Sequence, residues 1–163
     1  MTTKPFPITP AVRVLRKNRI DFEPHLYSYE HHGGAGQAAL ALDLPPFAVV
    51  KTLVMEMDAK TPVLILMHGN RQVSTKQLAR QAGVKRVQAI DTAAAEKVTG
   101  YKTGGISPFG TRKTMLIFAE TSIFELERIF INGGKRGFLV AMTPADLQKI
   151  LKIQKVQVAI KES

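Results

Sequence analysis

The sequence contains no cysteine, which excludes disulfides, thiolate metal sites and a cysteine nucleophile. It contains no apolar run long enough to cross a bilayer. Its first residues, Met-Thr-Thr-Lys-Pro-Phe-Pro, lack the apolar stretch of a signal peptide. The expectation is a soluble, cytoplasmic protein without a membrane partner. No linker divides the chain and no repeat recurs; the two Thr-Pro-Ala triplets, at Thr9 and Thr143, are two similar helix starts. Acid is also scarce: 13 acidic residues stand against 23 basic ones, for a net charge of +10. Such an excess favours polyanionic partners, nucleic acid first.

Several familiar site patterns are missing too. Gly105 and Gly110 have the spacing of a phosphate-cradling P-loop, but Thr111 stands where that loop needs lysine, and a strand-like run follows instead of a helix. Gly34, Gly36 and Ala39 fit a loose dinucleotide pattern, yet the segment before them is polar and aromatic, unlike a buried parallel strand. His31 and His32 are adjacent, and His25 and His68 are isolated in sequence. With no His-Glu-x-x-His spacing, all four are read as exposed loop histidines, and neither metal nor cofactor is expected.

What remains is a chain of 163 residues, 45% of them apolar, enough for one domain over 1–163 with a sizeable core. Thr9-Pro10 reads as an N-cap with proline at the first helical position. The helix runs to about Arg19, with Ala11, Val12, Val14 and Leu15 on one face and Arg13, Arg16 and Lys17 opposite. Phe22 to Tyr29 reads as a short strand, and Gln37 to Leu44 as a short helix stopped by Pro45-Pro46. Phe47 to Met57 is the clearest strand, and Pro62 to His68 is expected to pair with it antiparallel. Ser74 and Gln77 form a capping box for a helix ending at Gly83. Val84 to Ile90 is taken as a strand, and Asp91 caps a helix that Gly100 stops. Thr114 to Ala119 reads as a strand, while Ile123 to Ile131 fits helix or strand equally. Asn132 to Gly137 reads as a hairpin turn before a strand at Phe138 to Met142. Thr143-Pro144 opens a helix carrying Leu147, Ile150 and Leu151 on one face, and Val156 to Ile160 closes the chain as a strand. The expected fold is α+β: a central mixed, largely antiparallel sheet flanked by helices.

Two features point to chemistry. Alternation puts Lys51 on the same face as Val49, Leu53, Met55 and Met57. An ammonium among apolar neighbours needs an anionic partner or a task, unless it snorkels out from a strand edge. The second feature is the loop from Thr99 to Gly110, whose four glycines can bring backbone N–H groups close to a carbonyl or phosphate.

Val50-Lys51-Thr52-Leu53, Thr99-Gly100-Tyr101, Gly104-Gly105-Ile106-Ser107-Pro108 and Gly133-Gly134-Lys135-Arg136-Gly137 occur in this order. Together they resemble the YbaK family, the prolyl-tRNA editing domain superfamily of aminoacyl-tRNA deacylases. The resemblance implies a compact α/β domain with a central mixed sheet. It implies hydrolysis of mischarged aminoacyl-tRNA, tRNA(Pro) carrying a small amino acid such as cysteine or alanine, with prolyl-tRNA synthetase as a further partner. It assigns catalysis to Lys51, Gly104 and Gly105. Substrate contacts fall to Tyr27, Tyr29, Tyr101, Ile106, Ser107, Pro108, Gly133 and Gly134. The tRNA end falls to Lys135 and Arg136, joined by the basic face of Arg13, Arg16 and Lys17. The cysteine-editing branch carries Gly-Lys-Arg-Gly-Leu-Asp at the second glycine turn, whereas this chain has Gly137-Phe138-Leu139, so cysteine, alanine, serine and other small residues all stay open. Two alternatives use the same pocket: a non-catalytic module binding a tRNA end or nucleotide, and a hydrolase of other small esters.

Overall fold

The computed structural model describes residues 5–162. Thr9 caps the first helix, α1 (Pro10–Lys17), by accepting a hydrogen bond from the Val12 N–H at 3.0 Å. The helix buries Ala11, Val12 and Leu15 and leaves Arg13, Arg16 and Lys17 exposed, as its apolar spacing dictates. Strand β1 (Glu23–Leu26) follows, then α2 (Gly34–Ala41). A 3₁₀ turn leads into the long hairpin of β2 (Val49–Met57) and β3 (Thr61–His68), paired antiparallel along its length. Then come β4 (Arg71–Val73), α3 (Thr75–Ala82), β5 (Gln88–Ala89) and α4 (Thr92–Thr99). After the glycine loop the chain forms β6 (Leu116–Glu120), β7 (Ile129–Lys135), β8 (Phe138–Met142), α5 (Pro144–Ile150), β9 (Ile153–Val156) and β10 (Ala159–Lys161).

Eight strands form one mixed sheet in the order β1-β8-β7-β2-β3-β6-β9, with β5 added beside β2; β10 and β4 pair separately. The β1–β8, β7–β8, β2–β3 and β2–β5 pairings are antiparallel, whereas β2–β7, β3–β6 and β6–β9 are parallel. Both faces are covered. On one, Val50, Leu66, Ala119, Ile131 and Val140 pack with α1 and Phe109. The other is divided: Val63, Ile65, Met67 and Phe118 lie with Leu78 and Ala79 of α3, while Val49, Phe130, Leu139 and Ala141 lie with Ala38 and Ala39 of α2. Lys51 falls on β2 between Val49 of one cluster and Leu53 of the other.

The expected architecture holds, with local corrections. The strand expected over 84–90 shrinks to β5, because the Asp58 carboxylate accepts the Lys85 and Arg86 N–H groups at 2.9 and 3.1 Å. The single closing strand is really two. Glu120 Oε1 accepts from the N–H groups of Val158 (2.7 Å) and Ala159 (3.1 Å), and the chain leaves β6 there to become β10. The glycine turn is shorter than expected. Strand β7 continues through Gly133 and Gly134, with a register shift between Asn132 and Lys135, so only Arg136-Gly137 turns. The ambiguous 123–131 segment divides into a 3₁₀ turn, Thr121–Glu125, and the start of β7. The strand expected over 22–29 pairs only at Glu23–Leu26, and α2 starts at Gly34, earlier than expected. Strand β4 gave no sequence signal.

His68 also departs from expectation, being fully buried at the end of β3. Its Nδ1–H donates to the Phe47 carbonyl at 2.6 Å, which leaves Nε2 to accept from the Ser122 hydroxyl at 2.6 Å. The ring stacks on Phe47 at 3.6 Å. His25 lies on β1, half-buried, with Nε2 2.9 Å from Glu23. His31 and His32 are exposed, and no metal-type cluster of side chains occurs among the described residues.

Candidate active site

Strand β2 meets β7 only at Val49 and Val50, and meets β5 only at Met55 and Glu56. Between them, residues 51–54 have no strand partner on that edge among the described residues. Alternate residues of a strand turn both main-chain polar groups to one edge, so this gap offers donors and acceptors as well as side chains. A cavity of about 340 Å³ opens there, a size suited to a small organic group. Its walls are β2 from Val49 to Val54, Ala35 and Ala38 of α2, Thr92 and Ala95 of α4, and Thr103, Gly104 and Ile106 of the glycine loop. Tyr27, Tyr29, Asn132 and Leu139 complete its far side.

Lys51 is the only lysine, arginine, aspartate, glutamate or histidine among the described residues lining this cavity. Its side chain is 23% exposed, and its Nζ lies 3.5 Å from Glu162 Oε1, at the end of the described chain. The described lining holds one cation and no carboxylate or imidazole, so the lining itself offers electrostatic stabilisation but no side-chain general base, while Glu162 reaches Lys51 from outside it. Thr52 adds a second polar feature, since its hydroxyl oxygen is buried with no hydrogen-bond partner among the described residues.

The two glycine segments are tied together by Asn132. Its Oδ1 accepts from the N–H groups of Gly134 (2.7 Å) and Lys135 (3.1 Å), and its Nδ2 donates to the Gly104 carbonyl at 3.2 Å. Arg136 adds a second tie: Nε donates to the Thr103 carbonyl at 2.8 Å, and the guanidinium lies over the Tyr29 ring. The Thr103 N–H donates to Glu96 Oε2 at 2.8 Å, and that bond holds the Glu96 carboxyl below its usual range. Gly104 has φ +91, and a Cβ there would strike the Tyr29 hydroxyl and ring. Its N–H has no hydrogen-bond partner among the described residues, nor has that of Ile106. The Gly105 N–H, by contrast, donates to the Lys102 carbonyl at 2.8 Å. Gly105 is buried against the main chain of Lys135 and Arg136, where a Cβ would come within 2.7 Å of the Arg136 nitrogen.

The structure thus brings Lys51, Gly104, Tyr27, Tyr29 and Ile106 to one cavity and sets the other expected residues around it. Tyr101 is buried in the core with its hydroxyl donating to the Phe109 carbonyl at 2.5 Å, and burial pushes its pKa up to about 12. The Ser107 hydroxyl accepts from the Phe109 N–H at 3.2 Å, and Ser107 and Pro108 are both buried outside the lining. Gly133 and Gly134 pack on Phe138 and Tyr101 respectively. Both cavity tyrosines are half-buried; burial, with Tyr29 nearby, raises the pKa of Tyr27. Lys135 is exposed beyond the hairpin bulge, and Arg13, Arg16 and Lys17 lie on the outer side of α1, away from the lining. Sequence reasoning passed over Thr52 and Asn132. Asparagine beside paired glycines carries a local signal for side-chain capping of a turn, but its reach to Gly104 lies 28 positions away in sequence.

A family model described as "Aminoacyl-tRNA editing domain" matches residues 31–150. Along 155 residues the chain is 26% identical to the Enterococcus faecalis (strain ATCC 700802 / V583) protein named "Putative Cys-tRNA(Pro)/Cys-tRNA(Cys) deacylase EbsC", covering 94% of each. It is 28% identical over 97 residues to the proline--tRNA ligase of Desulfotalea psychrophila (strain LSv54 / DSM 12343), covering 60% of this chain and 16% of that one. A solved structure described as a "putative trans-editing enzyme for prolyl tRNA synthetase" superposes with TM-score 0.78 at 19% identity, over 96% of this chain and all of that one. At that identity the superposition speaks for the fold alone.

Proposed function

The chain belongs to the aminoacyl-tRNA editing domain family, and from that membership we propose that it is a hydrolase that deacylates mischarged aminoacyl-tRNA. The substrate we propose is tRNA(Pro) carrying a small amino acid, cysteine or alanine first. The observation that carries the reading is Lys51, the one ionised side chain among the described residues lining a largely apolar cavity, which it shares with Gly104, whose N–H has no partner among the described residues.

The aminoacyl group enters the chamber, whose walls include three alanines, Ala35, Ala38 and Ala95. Water adds to the ester carbonyl carbon and gives up a proton; a cysteinyl thiol can add in its place and leave as a thiolactone, whereas a neighbouring ribose hydroxyl only shifts the ester to another oxygen, from which water must still release it. The carbonyl oxygen then gains negative charge, and the Gly104 N–H, with that of Ile106 beside it, is placed to receive it. Lys51 neutralises the terminal phosphate or polarises the ester. The bond from carbonyl carbon to ribose oxygen breaks, and the ribose oxygen takes up a proton. Gly105 serves this site by close packing, because its own N–H is engaged. Removal of small amino acids after charging supplies discrimination that a binding pocket alone does not reach. Work alongside prolyl-tRNA synthetase belongs to the same reading, supported by the likeness to a proline--tRNA ligase segment.

The test is deacylation of a panel, tRNA(Pro) charged with cysteine, alanine, serine or proline, with Lys51→Ala beside the wild type. Rapid loss of one small-residue species is expected, slowed on the order of a hundredfold or more in the variant. Stable esters throughout, with folded protein that binds tRNA, would transfer the reading to a non-catalytic binding module.

A further inference from the structure

The glycine loop does more than line the cavity. Where α4 ends, the returning chain caps it: the N–H groups of Arg112 and Lys113 donate to the carbonyls of Thr99 (3.0 Å) and Val98 (2.8 Å). These two bonds hold the main chain of Arg112 and Lys113 against the last turn of α4, which carries Lys97. The Arg112 side chain lies over Gly100, with Nε 3.7 Å from the position a Cβ would take there. Lys102 lies two residues past Gly100, at the start of the turn that the Gly105 N–H closes on its carbonyl. All four cations are exposed, and none forms an ion pair among the described residues. Glu96, the acid in this neighbourhood, accepts the Thr103 N–H and attracts Lys102 and Arg136, so it offsets part of this charge. Thr103 and Gly104, in the same turn, form part of the cavity lining.

Four cations around a single carboxylate leave a net positive patch whose like charges repel one another, and solvent only partly screens them. A negatively charged partner removes that cost. The partner must also suit a patch that continues onto a cavity wall. A nucleic acid duplex with a single-stranded end fits both demands: its phosphates lie on the patch while its end passes Thr103 and Gly104 into the chamber.

We propose that Lys97, Lys102, Arg112 and Lys113 form the surface on which an RNA stem rests, its 3′ end reaching toward Lys51 along the glycine loop. The inference rests on the reading that the substrate is an aminoacyl-RNA, and it moves the main RNA contact away from the α1 face of Arg13, Arg16 and Lys17. The fixed position of the patch at the rim sets the direction from which the stem approaches.

The test uses an uncharged RNA stem–loop with a single-stranded 3′ end, so binding is read without turnover. Affinity is measured across a salt series for the wild type and for Lys97→Gln/Lys102→Gln, Arg112→Gln/Lys113→Gln and the four changes together. A fourth variant carries Arg13→Gln, Arg16→Gln and Lys17→Gln. Each lost phosphate contact reduces the log–log salt slope by about 0.7 to 0.9. The fourfold variant should therefore lose about 3 of the slope, each pair about half of that, and the α1 variant little. A slope unchanged in the fourfold variant, or lost only in the α1 variant, overturns the inference. The proposed activity fails separately: stable esters with patch-dependent RNA binding would end the hydrolase reading and leave the surface standing. Hydrolysis of charged tRNA with no patch-dependent slope would do the reverse.

Discussion

Gly104 combines two constraints that no other residue type meets. Its φ of +91 lies where a side chain is strained, and the Tyr29 ring already occupies the space a Cβ would need. Left-handed backbone costs a non-glycine residue roughly 1–2 kcal/mol. Either the Tyr29 ring or the loop must then move, and a shift of the loop would displace the proposed Gly104 N–H donor. Gly104→Ala is therefore expected to stay folded, with a modest drop in thermal midpoint and a fall in kcat/KM of at least about tenfold. Gly105→Ala should reverse the balance, because its Cβ meets main chain at Lys135–Arg136; stability falls most there. Comparing melting and deacylation for the two variants checks both expectations. His68 gives a prediction of a different kind. Burial lowers its pKa from 6.5, so the native state keeps the ring neutral while the unfolded chain takes up a proton. Below about pH 6.5 the unfolded state binds more protons, and stability falls with pH until the lowered pKa is reached. One proton sets the upper limit of that slope, about 1.4 kcal/mol per pH unit. Urea midpoints of wild type and His68→Asn across this range should show the slope in the former and a flatter response in the latter.

At the scale of elements, those announced by neighbouring residues could be read in the sequence. Thr9-Pro10 placed α1, Ser74 and Gly83 bounded α3, and alternation placed the β2–β3 hairpin with Lys51 at the right register. The elements missed are those fixed by distant side chains. Glu120 draws Val158 and Ala159 out of the sheet, and Asp58 holds Lys85 and Arg86. No local pattern encodes either. The cavity was half legible: Lys51 and the glycine loop stood out by chemistry, whereas the gap in the sheet between β7 and β5 depends on long-range pairing. Asn132 was read as a turn residue because Gly133 and Gly134 follow it. Its role in the bulge of β7 is to hold both glycine segments at one distance. Asn132→Ala strips the acceptor from two N–H groups and the donor from the Gly104 carbonyl, which costs about 1–3 kcal/mol. Chemical denaturation should register that loss, and turnover should fall further than in Thr52→Val, which keeps side-chain volume and removes only the orphan hydroxyl. Thr52→Val should hold or gain stability, since it removes a buried oxygen without a partner.

Over the whole molecule, the end of the described chain returns to the lysine of the cavity. Strand β10 pairs with β4 through Ala159–Val73 and Lys161–Arg71, just after β3 has run alongside β2. That path sets Glu162 3.5 Å from Lys51. A lysine in an apolar chamber is costly to leave alone, and without substrate this carboxylate supplies the counter-charge. In the proposed reaction a phosphate or a polarised ester supplies it, so substrate and carboxylate would compete for one ammonium. The pair is partly exposed and long, so its worth is at most about 1 kcal/mol, or roughly fivefold in affinity. Glu162→Gln is accordingly expected to lower KM by up to about fivefold with kcat unchanged, and the difference should shrink as salt screens the pair. Steady-state deacylation at low and high ionic strength measures this. A KM equal to the wild type at low salt would mean that Glu162 does not compete for Lys51. A fall in kcat would mean instead that the carboxylate holds the ammonium in its working position.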